Sequence, residues 1–334
     1  MARKLSAPAP MRAQAPPAGL RRAARLRLRV AWMYHVEGLT QNAIAEALGI
    51  GRVTVIRLLN QARALHEVKI ALSREIAELP RLESALERRF GLKEAIVAPV
   101  SSADADPTAV IGAATGAFLS DLVQPGMRIG VGWGKTLLHV LDHIEERSVP
   151  GLQVVSMLGG ISAVRQYNPA EFAWSFSRLF HADCFLIAAP AIVDSPQTRD
   201  ALIQRCGIGR VLEEADSLDA AVVSVGSMAP GSTSFQFDQI TQADRASLLQ
   251  LGAVGDVLNR FFDRSGRIVA HPLAARVMSV AIEQLRKTPH RILTSGGPDK
   301  TLAVLGALRL LQPTVLITDE HTAARVLVAA DQDG

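Results

Sequence analysis

Thr40-Gln41-Asn42-Ala43-Ile44-Ala45-Glu46-Ala47-Leu48-Gly49-Ile50-Gly51-Arg52-Val53-Thr54-Val55-Ile56-Arg57-Leu58-Leu59 reads as a helix, a tight turn and a second helix. Thr40 or Gln41 starts the first helix, and Ile44, Ala45 and Leu48 recur on its inner face at helical spacing. Gly49 falls where the chain must turn sharply and a residue without a Cβ is cheapest. Ile50 plugs the corner, and Val55, Leu58 and Leu59 form the buried stripe of the second helix. Arg52, Val53, Thr54, Arg57 and Asn60 are left near or along its exposed face. A helix-turn-helix lays such a helix in the major groove of DNA, with its N-terminal residues at base edges. Arg52 and Thr54 are therefore candidates for base reading and Arg57 for base or phosphate contact. Thr40, Gln41, Val53 and Asn60 complete the candidate DNA-contacting set. Plain helical-hairpin packing explains the same spacing, so charge has to weigh in.

The chain of 334 residues carries a formal net charge of +4, unevenly spread. Residues 1–70 hold twelve Lys or Arg against three Glu, a local balance of +9 that leaves −5 on the remaining 264. A basic segment that coincides with the helix pair is the electrostatic footprint of phosphate binding. Arg21, Arg22, Arg25, Arg27 and Arg29 cluster just before and within a preceding helix, expected over Arg21 to Glu37 with its end at Gly38. Only 4% of residues are aromatic, which argues against a reader of unpaired bases, since that needs stacking platforms. Cys184 and Cys206 show neither metal-ligand spacing nor a disulfide framework and read as free, buried thiols. No metal and no cofactor is expected.

Residues 1–20, rich in Ala and Pro with scattered Arg, read as a disordered basic arm without the apolar core of a signal peptide. No apolar run reaches membrane-spanning length, so the expectation is a soluble, cytoplasmic protein with no membrane partner. The helix-turn-helix domain is placed at 21–72, with a short strand or wing at His66 to Ile70. A linker helix at 73–91 carries Ile76, Leu79, Leu82, Leu86 and Phe90 on one stripe, interrupted by Pro80. It suits either pairing with its copy in a second subunit or capping the next domain.

The texture changes after Gly91. Strands are expected at Ala95–Pro99, Arg128–Val131, Leu152–Leu158, Cys184–Ala188, Ala220–Val225, Ile292–Thr294 and Val315–Thr318. Helices fill Thr108–Leu122, Thr136–Glu146, Pro169–Phe180, Pro196–Arg205, Gln242–Leu251, Lys300–Leu310 and His321–Ala329. Apolar strands alternating with amphipathic helices make residues 92–330 an α/β domain with a doubly wound, mostly parallel sheet. Ligands of such sheets bind beyond the carboxyl ends of the strands, at Gly-rich turns.

Three turns fit: Gly132-Trp133-Gly134-Lys135-Thr136, Gly159-Gly160, and Ser295-Gly296-Gly297-Pro298-Asp299-Lys300. Glycine lets backbone N–H groups approach an anion, and Lys135, Thr136 and Lys300 add charge and a hydroxyl. A nucleotide phosphate loop would need glycine at Ile129, and a dinucleotide fingerprint would need it at Lys135. Both nucleotide readings fail, and a smaller ligand suits the turns better. Asn168 and Glu171 flank Pro169 and can cap a helix or meet a sugar hydroxyl. Asp256 follows Gly252-Ala253-Val254-Gly255 and is read as a carboxylate after a glycine turn, serving as base, hydroxyl acceptor or ion-pair partner. His271 before Pro272 reads as a loop histidine.

Taken in order, these motifs resemble the SorC/DeoR-type sugar-binding transcriptional regulators of bacteria, across nearly all of residues 25–330. The strongest elements are the helix pair, Gly91-Leu92 leading into Ala95-Ile96-Val97, and Gly130-Val131-Gly132-Trp133-Gly134-Lys135-Thr136-Leu137. Gly159-Gly160, the stretch ending at Asp256, and Gly296-Gly297 through Lys300 also fit. The resemblance implies a larger domain similar to sugar-phosphate isomerases but serving as a sensor, assembled as a homodimer or homotetramer. Its partners would be double-stranded operator DNA and a small carbohydrate, polyol or sugar-phosphate effector. It also implies that Gly132, Gly134, Lys135, Thr136 and Lys300 lie at a phosphate end and Asp256 at the former catalytic-acid position. One departure is Gly51, where family members often carry Ser. The rival reading is a sugar-phosphate isomerase or deaminase. It needs a positioned acid/base pair, and the sequence offers only Asp256 with Glu171 or His271, so no catalytic residue is assigned.

Overall fold

The computed structural model of the protein describes residues 18–65, 67–68, 78–161, 168–236 and 240–332. It divides into two compact units, Met1–Glu75 and Ile76–Gly334.

In the smaller unit, α1 (Ala18–His35), α2 (Gln41–Leu48) and α3 (Arg52–Ala64) enclose one apolar cluster built on Val30, Met33, Ile44, Val55, Leu58 and Leu59. The Thr40 hydroxyl caps α2 by accepting from Ala43 N at 3.2 Å. Gly49 ends α2 at φ 64°, the left-handed conformation that lets α3 start at once in a new direction. α1 begins three residues earlier than expected, inside the segment read as a disordered arm. The rest of that arm, at 1–17, and most of the wing at His66 to Ile70 lie outside the described residues. Glu67, which is described, pairs with Arg27. One arginine of the basic cluster is therefore spent on structure.

The larger unit opens with α4 (Glu78–Phe90), which buries Leu79 and Leu86. The start of the expected linker helix, at 73–77, lies outside the described residues. α4 caps the sheet that follows: Glu87 and Glu83, one helical turn apart, accept from Ala95 N and Val97 N at 3.1 and 3.0 Å. Those N–H groups belong to an edge strand, β1 (Glu94–Ala98), and would otherwise be open to pairing with another chain. The remaining strands are β2 (Arg128–Val131), β3 (Gln153–Ser156), β4 (Asp183–Phe185), β5 (Ala220–Val223), β6 (Gly226–Ser227), β7 (Ala253–Val257), β8 (Arg260–Asp263), β9 (His290–Thr294) and β10 (Val315–Asp319). Seven of them form one sheet in the order β1-β10-β9-β5-β2-β3-β4, with every neighbouring pair parallel. These are the seven strands expected.

Alternation along the strands assigns each residue to one of two cores. Ala221, Val223 and Leu316 join one apolar cluster; Ala220, Val222, Val315 and Ile317 join the other. Both faces are thus covered by helices, as a parallel sheet requires. The chain runs outward from β2 through β3 to β4, then returns to β5 and continues through β9 to β10 on the other side. The direction reverses between β2 and β5, and this reversal places the site.

Two expectations change. Residues 136–146 are not one helix: α6, after α5 (Thr108–Leu122), covers only Lys135–Leu138, and a 3-10 turn follows at Leu141–His143. This segment runs close against α5, where a Cβ on Gly112 would lie 2.5 Å from His139 Cβ and one on Gly116 2.7 Å from His143 Cβ. Of the expected glycine turn at 252–255 only Gly252 turns, at φ 85°; Ala253–Val257 forms β7, paired antiparallel with β6 and β8, so Asp256 lies within a strand. Gly255 sits there because a Cβ would meet Ala303 Cβ and Gly226 O, each at 2.6 Å. The turn to β8 is made instead by Leu258 and Asn259, with φ of 52° and 58°. Of the two thiols expected to be buried, Cys184 is half-buried and Cys206 is exposed.

Candidate functional site

A cavity of about 490 Å³ opens at the carboxyl edge of the parallel sheet. Its lining comes from the turns after β1 (Asp104 to Thr108), β2 (Trp133, Gly134, Lys135), β5 (Ser224 to Ser227) and β9 (Gly296 to Lys300). β2 and β5 flank the point where strand order reverses, so the cavity occupies the crevice that doubly wound sheets offer to ligands. The antiparallel ribbon contributes Asp256, and residues 229–234 form a further wall.

The site combines polar and apolar surface and carries both charges. Lys300 is half-buried in the cavity wall. Burial, opposed by Asp256 and Asp106 and reinforced by Lys135, lowers its pKa to about 8. Its Nζ donates to Ser295 Oγ at 3.4 Å. Burial alone would raise the Asp106 pKa. The Thr108 N–H and hydroxyl, with Lys135 and Lys300, outweigh it and hold this carboxyl below the usual range. Asp256 is only 2% exposed, and burial pushes its pKa up despite donors at both oxygens. Ser234 Oγ donates to Oδ1 at 2.7 Å and Asn259 N to Oδ2 at 3.0 Å. A carboxylate so occupied is a fixed acceptor. Gly226 pairs with Asp256 across the ribbon, and a Cβ there would fall 2.1 Å from Asp256 Oδ1.

The backbone of the β9 turn is held from beneath. Gly297 N donates to Asp319 Oδ2 and to Thr322 Oγ1, both at 2.9 Å, and Gly297 itself lies at φ 114°. Gly134 has φ 124° directly before Lys135. Only glycine takes these conformations without strain.

Of the effector residues expected from sequence, Gly134, Lys135, Asp256, Gly296, Gly297 and Lys300 line the cavity. Six others do not. Gly132 continues the sheet, donating to Val222 O at 2.8 Å. Thr136 is fully buried. Gly159 N and Gly160 N are taken by Met278 O and Ala189 O, each at 2.8 Å, so neither offers an N–H to an anion. Asn168 caps α7 (Pro169–Leu179), accepting from Ala170 N at 3.1 Å and donating to Ile161 O at 2.8 Å. Glu171 is exposed in the first turn of α7. His271 caps a 3-10 turn through Nδ1, which accepts from Leu273 N. Sequence reading missed the wall at 229–234 and the loop at 104–108. The first is rich in Pro, Gly, Ser and Thr and the second in Asp and Pro, each after a strand, and that was the available signal.

In the smaller unit, Arg52, Val53, Arg57 and Asn60 of α3 are exposed and Thr54 is half-buried. Arg52 Nε lies 3.4 Å from Gln41 Oε1, which ties the start of α3 to the start of α2. A shallow groove lined by Tyr34, Gly38, Leu39, Thr40, Gln41, Asn42 and Arg52 runs between them.

A family profile described as "Putative sugar-binding domain" matches residues 74–328, most of the chain. The chain belongs to the SorC/DeoR-type sugar-binding transcriptional regulators. It is 31% identical to the deoxyribonucleoside regulator of Bacillus subtilis over 91% of its own length and 97% of that protein's. To the sorbitol operon regulator of Klebsiella pneumoniae it is 30% identical, covering 91% of this chain and 98% of that one. The crystal structure of full-length SorC from Klebsiella pneumoniae superposes with a TM-score of 0.69 at 29% identity, covering 91% of this chain and 98% of that chain. Both units of this regulator thus have counterparts in its relatives. Among the described residues, no group of three or more His, Cys, Asp or Glu could hold a metal ion, and no helix is long and apolar enough to cross a membrane.

Proposed function

We propose that this regulator binds double-stranded operator DNA through α3 and a small carbohydrate effector in the cavity above β2 and β5, and that the effector modulates DNA binding. The observation that carries this reading is the cavity itself: a crevice at the strand-order reversal, in a chain that also presents a basic helix-turn-helix. Lys300 and Lys135 suit an anionic end such as a phosphate. Asp256 and the hydroxyls of residues 232–234 suit sugar or polyol hydroxyls.

The reading is of a sensor, not of an enzyme. Asp256 is held by two donors and its charged neighbour is Lys300, a cation suited to a ligand anion, whereas isomerisation needs a proton acceptor free to move a proton. Two copies would engage the half-sites of a twofold operator, as a homodimer or homotetramer in the cytoplasm. An effector that binds one arrangement of those copies better than another shifts the population toward it.

Thermal unfolding with a panel of sugars, polyols and their phosphates tests the ligand half of this reading. A ligand at one hundred times its Kd stabilises by about 2.7 kcal/mol, a readily measured rise in Tm. One compound raising Tm without being converted supports the sensor; conversion of that compound to product supports the isomerase instead.

A further inference from the structure

We propose that Val53 reads the 5-methyl group of thymine in the operator, an inference that rests on the DNA-binding reading above. Val53 is 80% exposed, the most exposed large apolar side chain among the described residues. It stands second in α3, where a recognition helix meets base edges. No local requirement accounts for it. A β-branched residue is a mediocre helix former, and solvent gives its two methyl groups nothing. The buried stripe of α3 is made by Val55, Leu58, Leu59 and Ala62, on the other side of the helix.

The company Val53 keeps identifies the occupant. One and two turns further along the same face stand Arg57 and Asn60, both exposed, and Arg52 precedes it, exposed as well. A protein partner would require an apolar patch, and this face offers one fully exposed apolar side chain, with half-buried Ile56 one turn on, among cationic and amide side chains. The matching surface is polyanionic, studded with hydrogen-bonding groups, and carries isolated methyls. The major groove is such a surface, and the thymine methyl is the apolar group on its base edges.

The test compares binding of the full chain to a duplex from its own upstream region, made with thymine or with uracil, at fixed salt. Uracil pairs as thymine does and lacks only the methyl. The wild-type protein is expected to lose about fourfold in affinity or more on uracil duplex, the worth of one buried methyl-sized group. V53A should bind the thymine duplex about as weakly as wild type binds the uracil duplex, with a thymine-to-uracil ratio near one. V53T, which keeps one methyl and the β-branch, should retain part of the ratio and shows whether α3 is intact. A wild-type ratio of one, or a ratio that V53A leaves unchanged, overturns the proposal while DNA binding stands. Absence of specific binding to the thymine duplex overturns the DNA-binding reading as well.

Discussion

The Ser234 hydroxyl donates to Asp256 Oδ1 at 2.7 Å, joining the wall of the candidate cavity to the antiparallel ribbon beside it. The wall is braced further along. Phe235 stacks on Phe261 with centroids 6.0 Å apart, and the Arg245 guanidinium lies 5.7 Å from the Phe235 ring while donating to Met228 O. The cavity surface is therefore pre-formed on one side by a buried acceptor and its dedicated donor.

Removing that donor should be costly. S234A leaves one oxygen of a buried carboxylate short of a partner, a loss of about 1–3 kcal/mol. Burial already raises the Asp256 pKa, so the folded state holds its proton to higher pH than the unfolded state, and this group's contribution to stability falls as pH climbs from about 4. The Ser234 bond lowers that pKa, so in S234A the decline should extend to higher pH. Urea denaturation of both proteins across pH 4 to 8 measures it, and superimposable slopes would contradict the assignment.

Lys300 supplies the opposite sign. Its folded pKa of about 8 lies below the ordinary value of 10.5, so the unfolded state holds the proton more tightly across that window. Stability from this group therefore rises between pH 8 and pH 10.5, and K300M should gain most below pH 8. The same ammonium charges an anion site only below about pH 8. Affinity for a phosphorylated effector should fall as pH rises through that value, and K300M should both weaken it by roughly tenfold to a hundredfold and remove the pH dependence. Calorimetric titration at pH 6.5 and 9 reads both effects.

Gly296 lines the cavity and Gly160 does not, and substitution should tell them apart. A Cβ on Gly296 would lie 2.2 Å from Asp319 Oδ2, the oxygen that holds Gly297 N, and 2.6 Å from Ile111 Cδ1. G296A should cost about 1–3 kcal/mol through overpacking and weaken effector binding at least tenfold. At Gly160 the nearest atom to a new Cβ is Asn168 Oδ1 at 3.6 Å, and φ is not positive. G160A should leave stability within about 0.5 kcal/mol of wild type and leave effector affinity unchanged. Denaturation midpoints and titrations of the two variants give the comparison.

On the DNA side, Arg57 and Arg52 should separate by kind. R57A is expected to weaken binding to all duplexes alike and to reduce the slope of log K against log salt by about 0.9, one phosphate contact. R52A should relax sequence preference and leave that slope nearly unchanged. Titrations over a salt series on specific and scrambled duplexes decide between them.

Patterns of short range were the legible ones. The Ile44, Val55, Leu58 and Leu59 stripe and the turn at Gly49 need only helical periodicity, and the strands of the main sheet are continuous apolar runs bounded by turn residues. What was missed depends on contacts distant in sequence. Gly255 resembled a turn glycine, but Ala303, 48 residues on, requires its missing side chain within a strand. The true turn residues, Leu258 and Asn259, carry no glycine to betray the positive φ. The Gly159-Gly160 turn follows a strand as the cavity-lining turns do. Only the strand order, with β3 outside β2, moves it away from the reversal point. Strand order is not written in any local window, so half of the expected effector set could be placed only with the fold in hand.

In the proposed function one chain couples an effector to an operator. The most direct measurement is binding of the purified full chain to its own upstream DNA, with and without sugars, polyols and their phosphates, at one salt concentration. The expected result is a specific complex whose affinity changes at least about fivefold with one compound, a change lost in K300M while specific DNA binding persists. A specific complex indifferent to every compound, including any that raises Tm, would contradict it.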